Sequence, residues 1–334
     1  MKITKIVLAG LAAGTLVLTG CSSGSPEAGS GGEKKITLTL GHAGNETDAR
    51  QVAATRLKEI VEEKSGGDIT VEIYASSTLG TWEEMIEGLQ LGTTDVVIES
   101  MLAVESYTDL SGIETAPFLY DSQEDFFKVW DGELGTEIKT AVSEASGYEL
   151  LGNLYRGPRE LNTKKPVTTL SELQGMTIRT PSAPTMLATW KELGARAEAM
   201  PANETYSALE SGVLDGQENP LDSILFTSMY EVAPNINLTS HVYANYHFIM
   251  WEDYLTGLPE DAQKIIREAA EVVGGEYSKT TVDSAKKYRE DLENGGATFN
   301  KITDREQWVE AVKPIYGTLA PQVQQWITQI QDGQ

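Results

Sequence analysis

The stretch Ile36-Thr37-Leu38-Thr39-Leu40 alternates apolar and polar side chains, the period of a strand with one buried face. Just beyond it, Asp48 to Lys64 sets Ala53, Leu57, Ile60 and Val61 on one helical face, and Ile69 to Tyr74 is extended again. The opening is therefore a βαβ unit. A helix over Trp82 to Leu91 and an apolar strand over Asp95 to Ile98 continue the alternation, which implies a mainly parallel sheet with helices on both faces. The pattern restarts near Met176: strand Met176 to Arg179, helix Pro184 to Leu193, strand Ala197 to Met200, helix Glu204 to Ser211. That is a second α/β domain. Between and after these runs, Tyr148 to Pro158 and Tyr246 to Trp251 read as strands passing between domains. Pro259 to Leu292 reads as a helical strut interrupted only by Gly274-Gly275. A last helical segment from Trp308 to Ile330 is expected to split at Pro314 and Pro321. No tandem repeat is present.

Length and charge bound the function. At about 150 residues per domain, 334 residues suggest two domains, each large enough for its own core. An apolar content of 40% argues against disorder. The 50 acidic against 26 basic side chains leave a formal charge of −24 spread along the chain, which repels phosphate backbones and acidic lipid. Nucleic acid is excluded as a partner on this ground.

The first twenty residues stand apart. Lys2 and Lys5 form a basic start, and Ile6 to Leu18 is apolar but short for a bilayer span, the pattern of an export signal. It ends Leu18-Thr19-Gly20-Cys21, and Cys21 is the one cysteine of the chain. This resembles a bacterial lipobox, which implies a lipid anchor on Cys21 after cleavage of residues 1–20; the alternative is a spacer cysteine behind an ordinary secretory signal. Ser22 to Gly32 carries no large apolar residue, so 21–34 reads as a flexible, lipid-anchored tether. A globular body on a leash is expected to be extracytoplasmic and to work beside a membrane partner.

Catalytic chemistry is hard to find. The three histidines, His42, His241 and His247, include no pair at i, i+4, so no metal site is expected. There is no G-x-S-x-G elbow, no phosphate loop and no G-x-G-x-x-G turn after a strand. An acid–base pair of carboxylates stays open, but nothing singles one out. No cofactor and no catalytic residue are expected. His42, just past the first strand's carboxyl end, is kept as a candidate ligand contact because open α/β sheets bind ligands there.

Arginines are scarce enough that their clusters need a reason. Arg156-Gly157-Pro158-Arg159 and Ile178-Arg179-Thr180-Pro181 place guanidinium groups at strand ends beside turns. Arg179 precedes a helix start expected at Ser182 to Thr185, and a guanidinium there can grip a carboxylate through two charge-assisted bonds. From spacing alone, a surface ion pair with one of the 50 carboxylates is the slightly better explanation.

The run Gly175-Met176-Thr177-Ile178-Arg179-Thr180-Pro181, with Leu193-Gly194-Ala195, Met200-Pro201, Glu204 to Leu209 and Gly212-Val213-Leu214-Asp215-Gly216-Gln217-Glu218-Asn219-Pro220, strongly resembles the solute-binding proteins of TRAP transporters, the DctP family. Ser76 to Gly80, Ala116 to Leu119 and Gly157-Pro158-Arg159 match as well, so the likeness runs from about Ile36 to the C-terminal helices. It implies an α/β, two-lobed periplasmic-binding-protein-like fold with mixed sheets flanked by helices, an interdomain cleft and a long domain-spanning helix. On that pattern lobe I is 35–156 with 245–284, and lobe II is 157–244 with 285–334. The resemblance makes Arg179 the principal carboxylate clamp, Arg159 a second anion contact and Asn219 an amide donor. Glu99 matches a position that accepts hydroxyl hydrogen bonds in sugar-acid binders. The chain is expected to be a monomeric binding protein, not an enzyme, that delivers a small organic anion to TRAP membrane subunits.

Two departures bear on the ligand. Ala202 stands where the family often has Phe after Met-Pro, which widens the pocket or moves the aromatic wall elsewhere, and Ser182 stands where sialic-acid binders place Asn. Both weaken a sialic-acid assignment. Glu99 would sit against the second carboxylate of a simple diacid, a costly contact once desolvated. A hexuronate or aldonate therefore leads and a C4-dicarboxylate is second. The expected mechanism is hinge closure, with the carboxylate docking on Arg179 and the hydroxyls enclosed around Glu99 and His42. An extracytoplasmic carbohydrate-active enzyme and a sensory subunit are the rival classes.

Overall fold

The computed structural model describes residues 35–333; the candidate signal, the tether and Cys21 lie outside them. The described strands form one nine-stranded mixed sheet. They are β1 Ile36–Gly41, β2 Ile69–Tyr74, β3 Val96–Glu99, β4 Tyr148–Thr163, β5 Thr177–Thr180, β6 Arg196–Ala199, β7 Gly216–Asn219, β8 Asn235–Trp251 and β9 Thr298–Lys301. Their order is β2-β1-β3-β8-β4-β7-β5-β6, with β9 beside β8. β1 pairs in parallel with β2 and β3, and β5 with β6 and β7. These two parallel halves are the expected α/β units. They are joined by the antiparallel pairs β3–β8, β8–β4 and β4–β7 into a single sheet instead of separate ones.

β4 and β8 run through both halves, paired from Tyr148 opposite Trp251 to Thr163 opposite Asn235, with three register shifts on the way. Their 16 and 17 residues correspond to roughly 55 Å of strand. Both are longer than the apolar runs suggested. Their second-half ends bury polar residues that satisfy one another: Asn237 Nδ2 donates to Leu161 O (3.0 Å) and Thr163 Oγ1 (2.8 Å), and its Oδ1 accepts from Val167 N (2.9 Å). A strand stitched by amides carries no hydrophobic period.

Each half packs helices on both faces. In the first, the helix Ala49–Lys64 and the early turns of the long helix cover one face, with Leu57, Val61, Ile266 and Val273 buried against Leu38 and Leu40. On the other face, Trp82–Leu91, Gln123–Trp130 and Glu133–Ser146 bury Met85, Phe126 and Ile138. In the second half, Trp190 and Trp308 pack with Ile178 and Leu161, and Leu209, Ile224 and Leu292 form the opposite cluster. The long helix Glu260–Asn294 thus touches both halves, with 35 residues spanning about 52 Å. It is continuous through Gly274. A Cβ there would come within 2.8 Å of the Asn153 amide nitrogen, so the glycine admits β4 instead of breaking the helix.

The C-terminal segment departs from expectation twice. Pro314 lies inside the helix Arg305–Tyr316, two residues before its end, where it removes one backbone donor without stopping the helix, and the chain breaks at 317–320 before Pro321 opens the helix Pro321–Asp332. That final helix buries Val323, Trp326 and Ile330 among the first-half residues Phe126, Trp130 and Ile138. Trp326 Nε1 donates to Glu137 (2.8 Å). In packing, residues from Pro321 on go with the first half, whereas 285–334 was expected to follow the second as one piece.

Candidate ligand-binding site

A cavity lies at the carboxyl ends of β3, β5 and β7 and over the middle of β4 and β8, where the two parallel halves meet. Open α/β sheets place ligands at such a switch point. Across it, in sheet order, come Glu99 from β3, Tyr246 from β8, Arg156 and Arg159 from β4, Gln217 and Asn219 from β7, and Arg179 from β5. Arg50 joins at the Glu99 side from the first turn of Ala49–Lys64. Of the expected site residues, Arg179, Arg159, Asn219 and Glu99 all line the cavity.

His42 does not. It is fully buried beside the cavity-lining Ala43, with Nε2 3.0 Å from Gln51 Oε1, and burial lowers its pKa below the usual histidine range. The carboxyl end of β1 faces the cavity one residue later than expected.

Four arginines in one buried cavity need compensation, and two receive it. Arg50 folds back onto the carboxylate of its own helix cap, Nε to Asp48 Oδ1 and Nη2 to Asp48 Oδ2, both at 2.9 Å. Burial would raise Asp48, but Arg50 outweighs it and holds the carboxyl at about 2. Arg159 makes a two-pronged contact with Glu218, including Nη2 to Oε1 at 2.8 Å, and Nη2 also reaches the Glu218 carbonyl at 3.0 Å. Glu218 Oε2 lies 3.1 Å from His241 Nε2, whose Nδ1 is 2.8 Å from Thr239 Oγ1. Against burial, Arg159 and then His241 hold Glu218 at about 2. The chain Thr239–His241–Glu218–Arg159 fixes the Arg159 guanidinium before any ligand arrives.

Arg179 and Arg156 make no ion pair among the described residues. Arg179 is 3% exposed and spends Nε on the Met200 carbonyl (2.8 Å). Burial pushes its pKa down to about 10, Glu218 draws it part of the way back and Arg159 opposes it, so it is charged at neutral pH. Arg156 donates to Ser223 Oγ (2.8 Å) and stacks on Tyr246, 3.8 Å from the ring centroid, with Arg50 at 5.0 Å from the same ring.

At the opposite side Glu99 accepts from the Ser100 amide (2.9 Å) through Oε1, and its Oε2 is 3.8 Å from Arg50. Asn219 gives one Nδ2 hydrogen to Gln217 (2.7 Å), which leaves the other for the cavity. With Ala202 at the wall, the aromatic surfaces are Trp82 and Tyr246. Arg50, Tyr246 and Trp82 had no sequence signal of their own. Glu218 sits within the quoted Asp215-to-Pro220 motif, where its position beside Asn219 was the available clue.

The cavity offers a guanidinium pair and flanking acceptors at the meeting of two α/β units, a set of groups that can hold an anion and has the layout of a binding protein. The chain matches the model of the bacterial extracellular solute-binding proteins of family 7, the DctP family, over residues 40–322, and it belongs to that family. It is a TRAP-type solute-binding protein, a transport component and not an enzyme. A solute-binding protein of Roseobacter denitrificans is 33% identical over 270 residues, covering 80% of this chain and 82% of that one. The 2,3-diketo-L-gulonate-binding periplasmic protein of Escherichia coli is 26% identical over 277 residues, 83% of this chain and 84% of that one. Among solved structures, a TRAP periplasmic solute-binding protein of Roseobacter denitrificans with bound L-galactonate superimposes with a TM-score of 0.83 at 30% identity, covering 89% of this chain and 99% of that one. One from Xanthobacter autotrophicus with bound β-D-galacturonate gives 0.84 at 25%, covering 88% and 98%.

Proposed function

We propose that this chain captures a sugar acid of the hexuronate or aldonate class, with the carboxylate on Arg179 and Arg159 and the hydroxyls toward Glu99 and Arg50. The observation that carries the reading is the polarity of the cavity along the sheet. At the β5–β7 side, Arg179 has no carboxylate partner while Arg159 is already balanced by Glu218, so one positive charge is uncompensated. At the β3 side, Glu99 and Asp48 meet Arg50, a mixture of acceptors and donors that matches hydroxyl groups, each of which donates and accepts. Sugar-acid ligands in the solved relatives support the same class. Trp82 and Tyr246 supply flat apolar surface for a sugar ring.

In this reading the carboxylate docks on Arg179, the two halves close as lobes I and II about β4 and β8, and the closed face engages TRAP membrane subunits. Cys21 carries a lipid anchor, residues 21–34 serve as the tether, and the protein works as an extracytoplasmic monomer. A C4-dicarboxylate is the second reading, favoured by the unpaired Arg156 and opposed by Glu99. Calorimetry with D-galacturonate, D-glucuronate, L-galactonate and succinate tests the choice. A sugar acid is expected to bind tightest, and preference for succinate overturns the assignment.

A further inference from the structure

The helix Pro184–Glu192 begins four residues after the carboxyl end of β5, and its sequence leaves it without a cap. Its N-cap is Ala183, which has no side-chain acceptor, and its first residue is a proline. The missing acceptor comes from the other half of the sheet. Glu105, just past the 3-10 turn Met101–Val104 that follows β3, accepts through Oε1 from the Thr185 amide (3.0 Å) and the Thr185 hydroxyl (2.7 Å). Beside this contact Leu102 from the first half is buried in one cluster with Ala183 and Met186 from the second, and Trp82 packs against that cluster. Trp82 and Leu102 also line the ligand cavity. On the opposite flank, the Asn45 amide donates to the Phe226 carbonyl at 3.3 Å from an exposed position.

We infer that Glu105 and Thr185, with the apolar seat of Trp82, Leu102, Ala183 and Met186, form the latch that holds the two halves closed over ligand. The inference rests on the closure reading above. A helix lacking its own cap is completed when the first half swings onto it, so closure gains a carboxylate-to-amide bond, a carboxylate-to-hydroxyl bond and a small apolar contact at one place. Because Trp82 and Leu102 belong to both the seat and the cavity wall, a ligand that settles their positions settles the seat. Glu105 acts here as a positioning residue, through the helix and not on the ligand.

The test uses Glu105→Ala, Glu105→Gln and Thr185→Val in the mature chain, probed with D-galacturonate, D-glucuronate and L-galactonate. Loss of a charged hydrogen-bond acceptor is expected to weaken binding about tenfold to a hundredfold, chiefly through faster dissociation. Glu105→Gln is expected to fall between wild type and Glu105→Ala. Thr185→Val keeps the amide bond and is expected to lose less, and its effect should shrink when combined with Glu105→Ala. Hydrogen exchange at the Thr185 and Met186 amides should slow on ligand addition in wild type and not in Glu105→Ala. X-ray scattering should show the wild type compacting with ligand and Glu105→Ala compacting less. Unchanged affinity and exchange in all three variants, with wild-type compaction intact, overturns the latch alone. A wild-type protein that none of the three acids compacts overturns closure and the latch with it.

Discussion

Replacing Arg179 by methionine separates the work this side chain does for ligand from what it costs the fold. The guanidinium is buried without a carboxylate, and its pKa stands at about 10 against an ordinary value of 12.5. That depression corresponds to about 3 kcal/mol of penalty for holding the charge in the ligand-free protein. Against it stands the charged bond from Nε to the Met200 carbonyl, on the order of 1.5–3 kcal/mol. Methionine keeps much of the volume and removes both, so the ligand-free protein is expected to be unchanged or more stable by up to about 1–2 kcal/mol. In a domain of this size that is a rise of a few degrees in Tm. Ligand binding goes the other way. Removing one partner of a buried charge pair costs about 2–5 kcal/mol, or roughly thirty- to several-thousand-fold in affinity. Arg179→Lys, which keeps charge but loses the planar fork, is expected between wild type and Arg179→Met. Differential scanning calorimetry without ligand and isothermal titration with D-galacturonate read the two effects separately. A variant that is destabilised by several kcal/mol yet binds as well as wild type would falsify both halves of the reasoning.

Three further outcomes are expected. Glu99→Gln removes a strong acceptor at the hydroxyl side and should weaken a sugar acid while strengthening succinate, which no longer faces a like charge; titration of both ligands gives the sign, and parallel losses contradict the polarity argument. Glu114 is buried against the Leu102 amide (2.9 Å) with Oε1 unpartnered, and burial lifts its pKa to about 8. The folded protein therefore holds a proton that the unfolded chain loses near pH 4.5, so stability falls as pH rises from about 4.5 to 8, and Glu114→Gln should flatten that slope in Tm measured across the window. Cys21→Ser should move the protein from the membrane to the soluble fraction on cell fractionation with ligand affinity unchanged; membrane retention refutes the anchor.

The halves of the fold were legible because β1 and β2 alternate apolar residues at the period of 2, β3 is a short continuous apolar run of a strand buried on both faces, and the helices between them repeat near 3.6. The crossing strands were half legible. Tyr148 to Pro158 and Tyr246 to Trp251 carry apolar runs, whereas the second-half stretches past Leu161 and before His241 are held by Asn162, Asn237 and Thr239, whose buried bonds leave no period to read. Gly274 misled for a related reason: the sequence shows a helix weakener, while the close pass of β4 that requires it is tertiary.

The site divides along the same line. Arg179 and Asn219 sit in local motifs at the ends of β5 and β7, and Arg159 in one within β4, and a motif is a one-dimensional object. What makes Arg179 different from Arg159 is not local. In a chain with 50 acidic residues the default fate of a buried arginine is a carboxylate, and Arg50 and Arg159 both meet it, through Asp48 two positions away and through Glu218 brought over by the pairing of β4 with β7. Arg179 lies one strand further, on β5, where its register partners on β6 and β7 are Glu198 and Gln217. Glu198 is exposed to solvent and makes no ion pair with it among the described residues, and Gln217 gives its amide to Asn162. The register therefore leaves Arg179, like Arg156 on β4, buried without a carboxylate among the described residues of an acidic protein, and an incoming carboxylate is the group that answers it.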